Sequence, residues 1–237
     1  MRDRTQPKTS YRRDPHLSNI LPSLWELLSD AEREQLLIWS SFYIYKKGEV
    51  IYEAGAIPQN AYVLVNGQIK VTQSEERDQI IRLVREVEFF GYYAHFAENP
   101  IPSTATAVEE SLVCLIPLRS LEEIIQSNPR VGLYFLHDLS KILVETHQMT
   151  ITLTQKHTRG RLAESLLLLL EKYGTEQDGR TIKAYLSRNE LANLSNMTTS
   201  NAVRTLRSFQ EEGVVHLDGR RIKIIDEHKI RKISKLG

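Results

Sequence analysis

Cysteine is almost absent from this sequence, since Cys114 is the single cysteine among 237 residues. One thiol excludes an intramolecular disulfide, and it excludes an all-cysteine zinc or iron–sulfur site within one chain. Long apolar runs are also missing, because the leucine run at residues 166–170 is far too short to span a membrane. We find no signal-peptide pattern and therefore expect a cytoplasmic protein. Cys114 lies in an apolar run and is predicted to be a buried strand residue rather than a redox thiol.

Catalytic signatures are lacking as well. The sequence has no Gly-x-Ser-x-Gly motif, no phosphate loop and no dinucleotide-binding fingerprint. A cupin-type enzyme would need paired histidines with a carboxylate on neighbouring strands, and the seven histidines show no such cluster. We therefore expect a protein that is not an enzyme and that has no metal site of this kind.

The composition is that of a globular protein, with 41% hydrophobic and 26% charged residues. The formal net charge is only +1, but it is unevenly distributed. Residues 159–237 contain 15 Lys and Arg against 10 Asp and Glu, whereas residues 1–158 contain 16 against 20. The positive C-terminal part favours, weakly, a partner that carries phosphates.

Residues 186–226 have the pattern of two helices joined by a tight turn. Leu191, Ala192 and Leu194 form the apolar side of the first helix. Asn196 lies where such a turn needs a left-handed backbone, which Asn tolerates better than most residues. Thr198 is a good N-cap for the second helix, and its hydroxyl could also contact a phosphate.

The second helix is predicted to be a DNA-recognition helix. Ala202, Val203, Leu206 and Phe209 face the core in this interpretation, and polar side chains face outward. Residues near the start of such a helix reach base edges in the major groove, and Arg suits guanine. The predicted DNA-binding residues are Arg188, Asn189, Thr198, Thr199, Ser200, Arg204 and Arg207.

A hairpin follows this helix. Gly213 is predicted to end the helix, and Asp218-Gly219 between two apolar runs is a strong hairpin signal. Helix, turn, helix and hairpin together predict a winged helix-turn-helix, with double-stranded DNA as its partner. The alternative is a helix-turn-helix that serves protein contacts in a protein that senses a small molecule or haem.

The N-terminal half predicts a small barrel or roll. Residues 1–19 are polar and predicted to be a flexible arm, and Ser29 to Glu32 form a capping box at a helix start. Asn66-Gly67 has the signature of a type I′ hairpin turn. Short strand-like runs follow one another, separated by turn signals, at residues 42–45, 50–52, 61–65, 68–72, 79–84 and 112–117.

One long helix is predicted from Pro129 to about His157. Its apolar positions alternate in spacing between three and four, which is typical of a coiled-coil seam and indicates a homodimer. A second apolar stripe of Phe135, Ile142 and Met149 suits packing on the roll. Gly160 permits a bend between the roll with its long helix and the helix-turn-helix. The alternative is a helix buried within a monomer. The predicted interface residues are Leu136, Leu139, Leu143, Thr146, Thr150 and Leu153.

Over residues 20–227 the chain resembles the Crp/Fnr superfamily of bacterial transcription factors. The resemblance rests on five segments in one order, at residues 45–55, 61–67, 89–91, 160–163 and 186–226. It implies an α+β fold with an N-terminal double-stranded β-roll, a long dimerisation helix and a C-terminal winged helix-turn-helix. The corresponding domain prediction is an arm at 1–19, the roll at 20–127, the dimerisation helix at 128–158 and the DNA-binding domain at 159–237.

The chain departs from the cyclic-nucleotide binders of this family. Their Glu after the glycine aligned with Gly91 is replaced by Tyr92, and the Arg that holds the cyclic phosphate is missing. No Lys or Arg occurs between Arg85 and Arg119. A buried phosphate would lose a charge-assisted contact worth about 1.5–3 kcal/mol, so cyclic AMP is not the expected ligand. The iron–sulfur branch is excluded because its N-terminal cysteines are missing.

The predicted recognition helix, here called the reader, also departs from the family pattern. Thr199 and Ser200 stand where the cyclic-AMP receptor has Arg and Glu. Only Arg204 keeps the family identity, so we expect a different, near-palindromic operator. RNA polymerase is a further possible partner if the protein is an activator.

The resemblance also places an effector pocket in the roll. The haem-containing relatives suggest His95 or His147 as an axial ligand. An apolar or aromatic small molecule, or no ligand, are the other possibilities. The candidate pocket residues are Gly91, Tyr92, His95, Ile101, Pro102, Ser103, Thr104, Thr146 and His147.

Overall fold

The computed structural model describes residues 16–74 and 78–236. The described chain divides into two compact units, one of residues 16–74 and 82–144 and the other of residues 78–81 and 145–236. The boundary between Val144 and Glu145 lies inside the longest helix.

The first part of the chain is rich in strands. Its elements are α1 (Leu17–Ile20), α2 (Pro22–Trp25), α3 (Asp30–Trp39), β1 (Ser41–Tyr45), β2 (Val50–Tyr52), β3 (Asn60–Asn66), β4 (Ile69–Ser74), β5 (Asp78–Val84), β6 (Phe89–Phe90), α4 (Tyr93–Phe96), β7 (Thr104–Ala107), β8 (Ser111–Pro117), α5 (Leu118–Ser127) and α6 (Pro129–Gln155). The strands form two four-stranded sheets, in the orders β1-β8-β3-β6 and β2-β7-β4-β5. Two facing sheets are the predicted roll.

Strand β3 shows how the two cores of this unit arise. Ala61 and Val63 belong to a cluster with the surrounding helices, whereas Tyr62 and Leu64 belong to a cluster with strands of both sheets. Successive side chains of a strand point to opposite faces, so β3 is covered on both sides. Cys114 lies in the helix-side cluster and is fully buried, as the sequence predicted.

The Asn66-Gly67 prediction is wrong in its turn type. β3 and β4 belong to different sheets and are not a hairpin pair, and only Gly67 has a positive φ, of 104°. A side chain at Gly67 would lie 2.8 Å from the Glu110 carbonyl, because the chain here crosses from one sheet to the other. The glycine is needed for this close approach.

The predicted arm is too long at its C-terminal end. Leu17 and Ile20 are buried in α1 and pack in the helix-side core, where Leu17 is only 1% exposed. Residues 1–15 lie outside the described residues. The capping box is confirmed, since Ser29 Oγ accepts from the Glu32 amide and the Glu32 carboxylate accepts from the Ser29 amide at 2.7 Å.

The long helix ends earlier than predicted. α6 ends at Gln155, and α7 begins at Thr158 after an extended His157, so the break is not at Gly160, which is buried inside α7. Lys156 marks this break. Its Nζ donates to Glu164 Oε2 at 2.7 Å and to Ser234 Oγ at 3.0 Å, and a hydrogen bond from Ser234 to Glu164 closes the triad.

The predicted dimer seam is only partly exposed. Leu136 and Leu143 are 59% and 55% exposed, and Thr146 and Thr150 are also exposed. Leu139 instead packs partly against the helix-side core, and Leu153 is half-buried. The prediction that Leu139 and Leu153 are exposed in the seam is therefore corrected. Both side chains are half-buried and lie at its edge.

The second unit is mostly helical. Beyond the end of α6 it contains α7 (Thr158–Tyr173), α8 (Arg188–Leu194), α9 (Thr199–Glu211), β9 (Val215–Asp218), β10 (Arg221–Ile224) and α10 (Glu227–Leu236). Helices α7 and α10 pack together, and α8 packs on α9. Throughout residues 16–74 and 78–236, no helix combines the length and the apolarity that a membrane crossing requires.

Candidate nucleic-acid interface

Helix α8 is positioned by its cap and by its apolar side. Ser187 and Glu190 form a reciprocal capping box, in which the Ser187 amide donates to Glu190 Oε2 at 2.8 Å. Leu191, Ala192 and Leu194 are buried, as predicted. Ala192 lies where α8 approaches the turn, and its backbone carbonyl accepts a hydrogen bond from the Met197 amide at 3.0 Å.

The turn between α8 and α9 has the predicted backbone. Asn196 has a φ of 47°, in the left-handed region. Arg161 of α7, which was not among the predicted site residues, holds this turn. Its Nε donates to the Ser195 carbonyl at 3.0 Å and its Nη2 to the Asn196 carbonyl at 3.2 Å.

The start of α9 is fixed by Thr198, whose hydroxyl accepts from the Asn201 amide at 3.3 Å. This confirms the N-cap. Gly213, with a φ of 69°, follows the helix end. Ala202, Leu206 and Phe209 are fully buried, whereas Val203 is only half-buried and lines a shallow surface groove. The other residues along this groove are Thr199, Ser200, Arg204, Arg207, Ser208 and Glu211.

The exposed edge of α9 carries the predicted reading side chains. Thr198, Thr199, Ser200, Arg204 and Arg207 are all exposed. Arg204 Nη2 donates to Asn201 Oδ1 at 2.8 Å, one turn earlier on the same helix. This bond uses one of the five N–H donors of the guanidinium and orients the group over the groove.

A hydrogen bond between α8 and α9 also joins two of the predicted DNA-binding residues. Thr199 Oγ1 donates to Asn189 Oδ1 at 3.1 Å, and both residues are exposed. With its oxygen used in this way, the Asn189 side chain presents its amide N–H groups to a partner. The neighbouring C-terminal end of α9 is held by Arg159, which donates to Ser208 Oγ at 2.8 Å and pairs with Glu212 at 2.6 Å.

Arg188 has a different environment from the other predicted contacts. It is half-buried, and its Nη2 donates to the Gly219 carbonyl at 2.6 Å. Its Nη1 is buried without a hydrogen-bond partner among the described residues, and burial lowers the pKa of this guanidinium below its usual range. Arg188 is one of the predicted DNA-binding residues, and the structure places its side chain against the hairpin loop rather than on the exposed edge of α9.

The hairpin prediction is confirmed. β9 and β10 are antiparallel with Asp218 opposite Arg221, which leaves Gly219 and Arg220 as a two-residue loop. Only Gly219, with a φ of 54°, has a positive φ in this loop. Arg220 is exposed at the tip.

Several of the candidate effector residues are buried within the first unit. Gly91, Ile101 and Ser103 are buried, and a side chain at Gly91 would lie 2.7 Å from the Tyr62 ring and 2.8 Å from the Tyr52 ring. The rings of Tyr52, Tyr62 and Phe90 pack on one another with centroids 5.3–6.1 Å apart. Aromatic side chains therefore fill the interior beside Gly91.

Among the candidate pocket residues, the structure departs most clearly from the prediction at Tyr92. It is fully buried in the helix-side core rather than in the cluster between the sheets. Pro102 is exposed, and Thr104 Oγ1 accepts from the Ala54 amide at 3.1 Å.

The two candidate histidines lie in different units. His95 Nε2 lies 3.4 Å from Glu122 Oε2, and His147 is an exposed residue of α6 in the second unit, next to exposed Thr146. Over the described ranges, no three His, Cys, Asp or Glu side chains are grouped to hold a metal ion.

Two family models match the chain. Residues 44–128 match the cyclic nucleotide-binding domain, and residues 160–233 match the Crp-like helix-turn-helix domain. The interval between the two matches is occupied mostly by α6. The boundary between the two units of the structure also lies within α6.

The chain is similar to known regulators and to a solved structure over most of their length. Electron transport regulator A of Shewanella oneidensis is 26% identical over 192 residues, which are 80% of this chain and 76% of that protein. The CRP-like cAMP-activated global transcriptional regulator of Mycobacterium tuberculosis is 22% identical over 81% of this chain and 87% of its own. The structure of FixK2 from Bradyrhizobium japonicum shares the fold, with a TM-score of 0.74, 20% identity and coverage of 82% of this chain and 96% of its own.

Proposed function

Because the chain belongs to the Crp/Fnr superfamily and is a DNA-binding transcription regulator of that type, we propose that it reads a near-palindromic operator as a homodimer. In this proposal α9 enters the major groove, and Arg204 donates to a guanine in each half-site. The observation that carries the proposal is the exposed edge of α9, where Asn201 orients the Arg204 guanidinium.

The pairing of two chains is supported by the exposed apolar side chains of α6. Leu133, Leu136, Leu143 and Val144 are all at least 55% exposed, and burial of such surface is favourable by about 25 cal/mol per Å². A dimer also increases the length of DNA that is read, because two recognition helices related by a twofold axis contact half-sites about 34 Å apart.

The roll is proposed to work without a cyclic nucleotide. The Mycobacterium tuberculosis relative is described as cAMP-activated. In this chain the segment between Arg85 and Arg119 offers no cation for a cyclic phosphate, and tyrosine rings pack closely around Gly91. We expect cyclic AMP at millimolar concentration to leave the unfolding temperature unchanged. An increase of several degrees that saturates with cyclic AMP would contradict this part of the proposal.

The effector itself stays a prediction. An absorption spectrum and a native mass of the purified protein address it directly. A Soret band would identify haem, and an added mass would identify another bound molecule. RNA polymerase as a further partner requires a separate test by co-precipitation on operator DNA.

The reader is tested with a duplex selected from a random library and with fluorescence anisotropy over a salt series. Arg204→Ala should weaken binding to the selected duplex by roughly 5- to 150-fold for each half-site, the equivalent of about 1–3 kcal/mol per lost guanine contact. Binding to a scrambled duplex should change far less, because phosphate contacts dominate there.

The matched control is Arg231→Ala, which removes the same charge from the same unit. Arg231 is exposed on α10 and pairs with Glu227 at 2.7 Å. We expect a change of less than about twofold for it. Equal losses for the two variants, or no loss for Arg204→Ala, would contradict the assignment of α9 as the reader.

A further inference from the structure

The wing of the second unit is attached to α8 at its tip. Arg188 is the first residue of α8, and its Nη2 donates to the Gly219 carbonyl at 2.6 Å. The two residues are 31 positions apart in sequence. A guanidinium hydrogen bond of this length belongs to the short, charge-assisted class, so it fixes the loop more firmly than a neutral bond would.

The same guanidinium is poorly placed to contact DNA directly. Its Nη1 is buried and has no hydrogen-bond partner within the part of the chain that the structure describes. Burial of one nitrogen and use of the other by a carbonyl leave little of the planar fork for a phosphate. Asn189, the next residue, is by contrast exposed.

The strands of the wing are held by other contacts. Arg221 pairs with Glu176 at 2.9 Å and Lys223 pairs with Asp178 at 3.2 Å. The Ile182 amide donates to the Ile222 carbonyl at 3.0 Å. These bonds support β10 along its length, whereas Arg188 supports the two-residue loop.

The loop carries one exposed cation. Arg220 follows Gly219, and no hydrogen bond or ion pair of its side chain occurs with residues 16–74 or 78–236. A cation at a rigid tip retains more of its affinity for a phosphate than one on a mobile loop, because less conformational entropy is lost on binding.

We propose that Arg188 is a positioning residue that fixes the wing so that Arg220 contacts a phosphodiester group beside the bases read by α9. Arg188 thus acts on DNA through the wing rather than by its own contact. This inference rests on the proposed function, since it requires α9 in the major groove.

The first test measures the wing without DNA. Hydrogen exchange of the backbone amides of Asp218 and Arg221, the pair that closes the wing loop, should become at least about tenfold faster in Arg188→Ala than in the parent protein. Arg220→Ala should leave these amides unchanged, because its side chain makes no hydrogen bond or ion pair with the residues that the structure describes. Unchanged exchange in Arg188→Ala would overturn the positioning role, and this result does not depend on DNA binding.

The second test is a double-variant cycle on the salt dependence of operator binding. Loss of one phosphate contact lowers the slope of log K against log salt by about 0.9. We expect this decrease for Arg220→Ala, for Arg188→Ala and for the double variant alike, counted per half-site. Additive decreases, with about twice the change in the double variant, would show that Arg188 makes its own phosphate contact and would overturn the proposal.

Two controls keep the outcomes separate. If Arg188→Ala does not fold, Arg188→Gln provides the same comparison with a shorter, neutral side chain. Arg204→Ala should lower affinity for the selected duplex while leaving wing exchange at the parent rate. Absence of that affinity loss would count against the proposed function, whereas the exchange result would still decide the role of Arg188.

Discussion

The Tyr92 hydroxyl donates a 2.7 Å hydrogen bond to Asp138 Oδ2, and this bond joins the segment after β6 to the first half of α6. The Tyr92 ring also packs edge-on against Phe135 of the same helix, with centroids 5.3 Å apart. The resemblance to cyclic-nucleotide binders places a Glu at this position. Here the side chain instead makes an internal contact with the helix that carries the proposed dimer surface.

Removal of this hydroxyl should destabilise the first unit. Tyr92→Phe leaves the ring packing intact but leaves Asp138 without its partner, and hydrogen bonds to charged groups contribute about 1.5–3 kcal/mol. We expect a loss of this size in the free energy of unfolding, measured by urea denaturation with an unchanged m-value. Tyr185→Phe is the control, since its more accessible hydroxyl also donates to a carboxylate, Glu176, at 2.8 Å. An equal loss in both variants would show that burial is not what gives the Tyr92 bond its strength.

Alkaline pH should destabilise the protein through its buried tyrosines. Burial, strengthened by the bond to Asp138 and by its charge, raises the pKa of Tyr92 above the ordinary 10.0, and burial also raises the pKa of Tyr52 and Tyr45. A raised pKa in the folded state means that these groups contribute their full stability below pH 10 and lose it as the pH rises further. We expect a tyrosinate absorbance change above pH 10 in which part of the signal appears only with unfolding. Complete titration near pH 10 in the folded protein would contradict the burial of these side chains.

The packing around Gly91 can be measured with a matched pair of glycines. Gly91 and Gly55 have similar positive φ angles of 74° and 84°, so an alanine is strained by about 1–2 kcal/mol at either. Only at Gly91 would the new methyl group meet neighbours, the Tyr52 and Tyr62 rings. Gly91→Ala should therefore cost about 1–3 kcal/mol more than Gly55→Ala in denaturation. Equal costs would mean that the aromatic interior yields readily and that a ligand could enter there.

The dimer surface is tested at Leu143. Leu143→Asp places a charge among the exposed apolar side chains of α6 and should raise the dimer dissociation constant at least tenfold, which corresponds to about 1.4 kcal/mol. Sedimentation equilibrium measures this directly. Ile57→Asp is the control, because Ile57 is 78% exposed in a loop outside α6 and should leave the association unchanged. Association that survives Leu143→Asp would place the interface elsewhere.

The sequence by itself determined the features that depend on neighbouring residues. The left-handed Asn196, the Thr198 cap, the helix end near Gly213 and the Asp218-Gly219 hairpin are all local, so short-range sterics and hydrogen bonding fix them. Six of the strands were located from apolar runs for the same reason. Strand β7 was missed because its alternating Thr and Ala carry a weak local signal. Helix α5 was missed although Leu118, Leu121 and Ile124 recur at helical spacing and are all buried.

Tertiary structure alone decided what depends on distant partners. Asn66-Gly67 is a local turn signal, yet the strands around it join different sheets, because β3 pairs with β8 and β4 pairs with β7. Tyr92 faces the helices and Arg188 faces the wing because Asp138 and Gly219 stand beside them only after folding, 46 and 31 residues away in the chain. Side-chain direction on a two-sided core and the partner of a charged group are long-range properties, and no pattern in neighbouring residues encodes them.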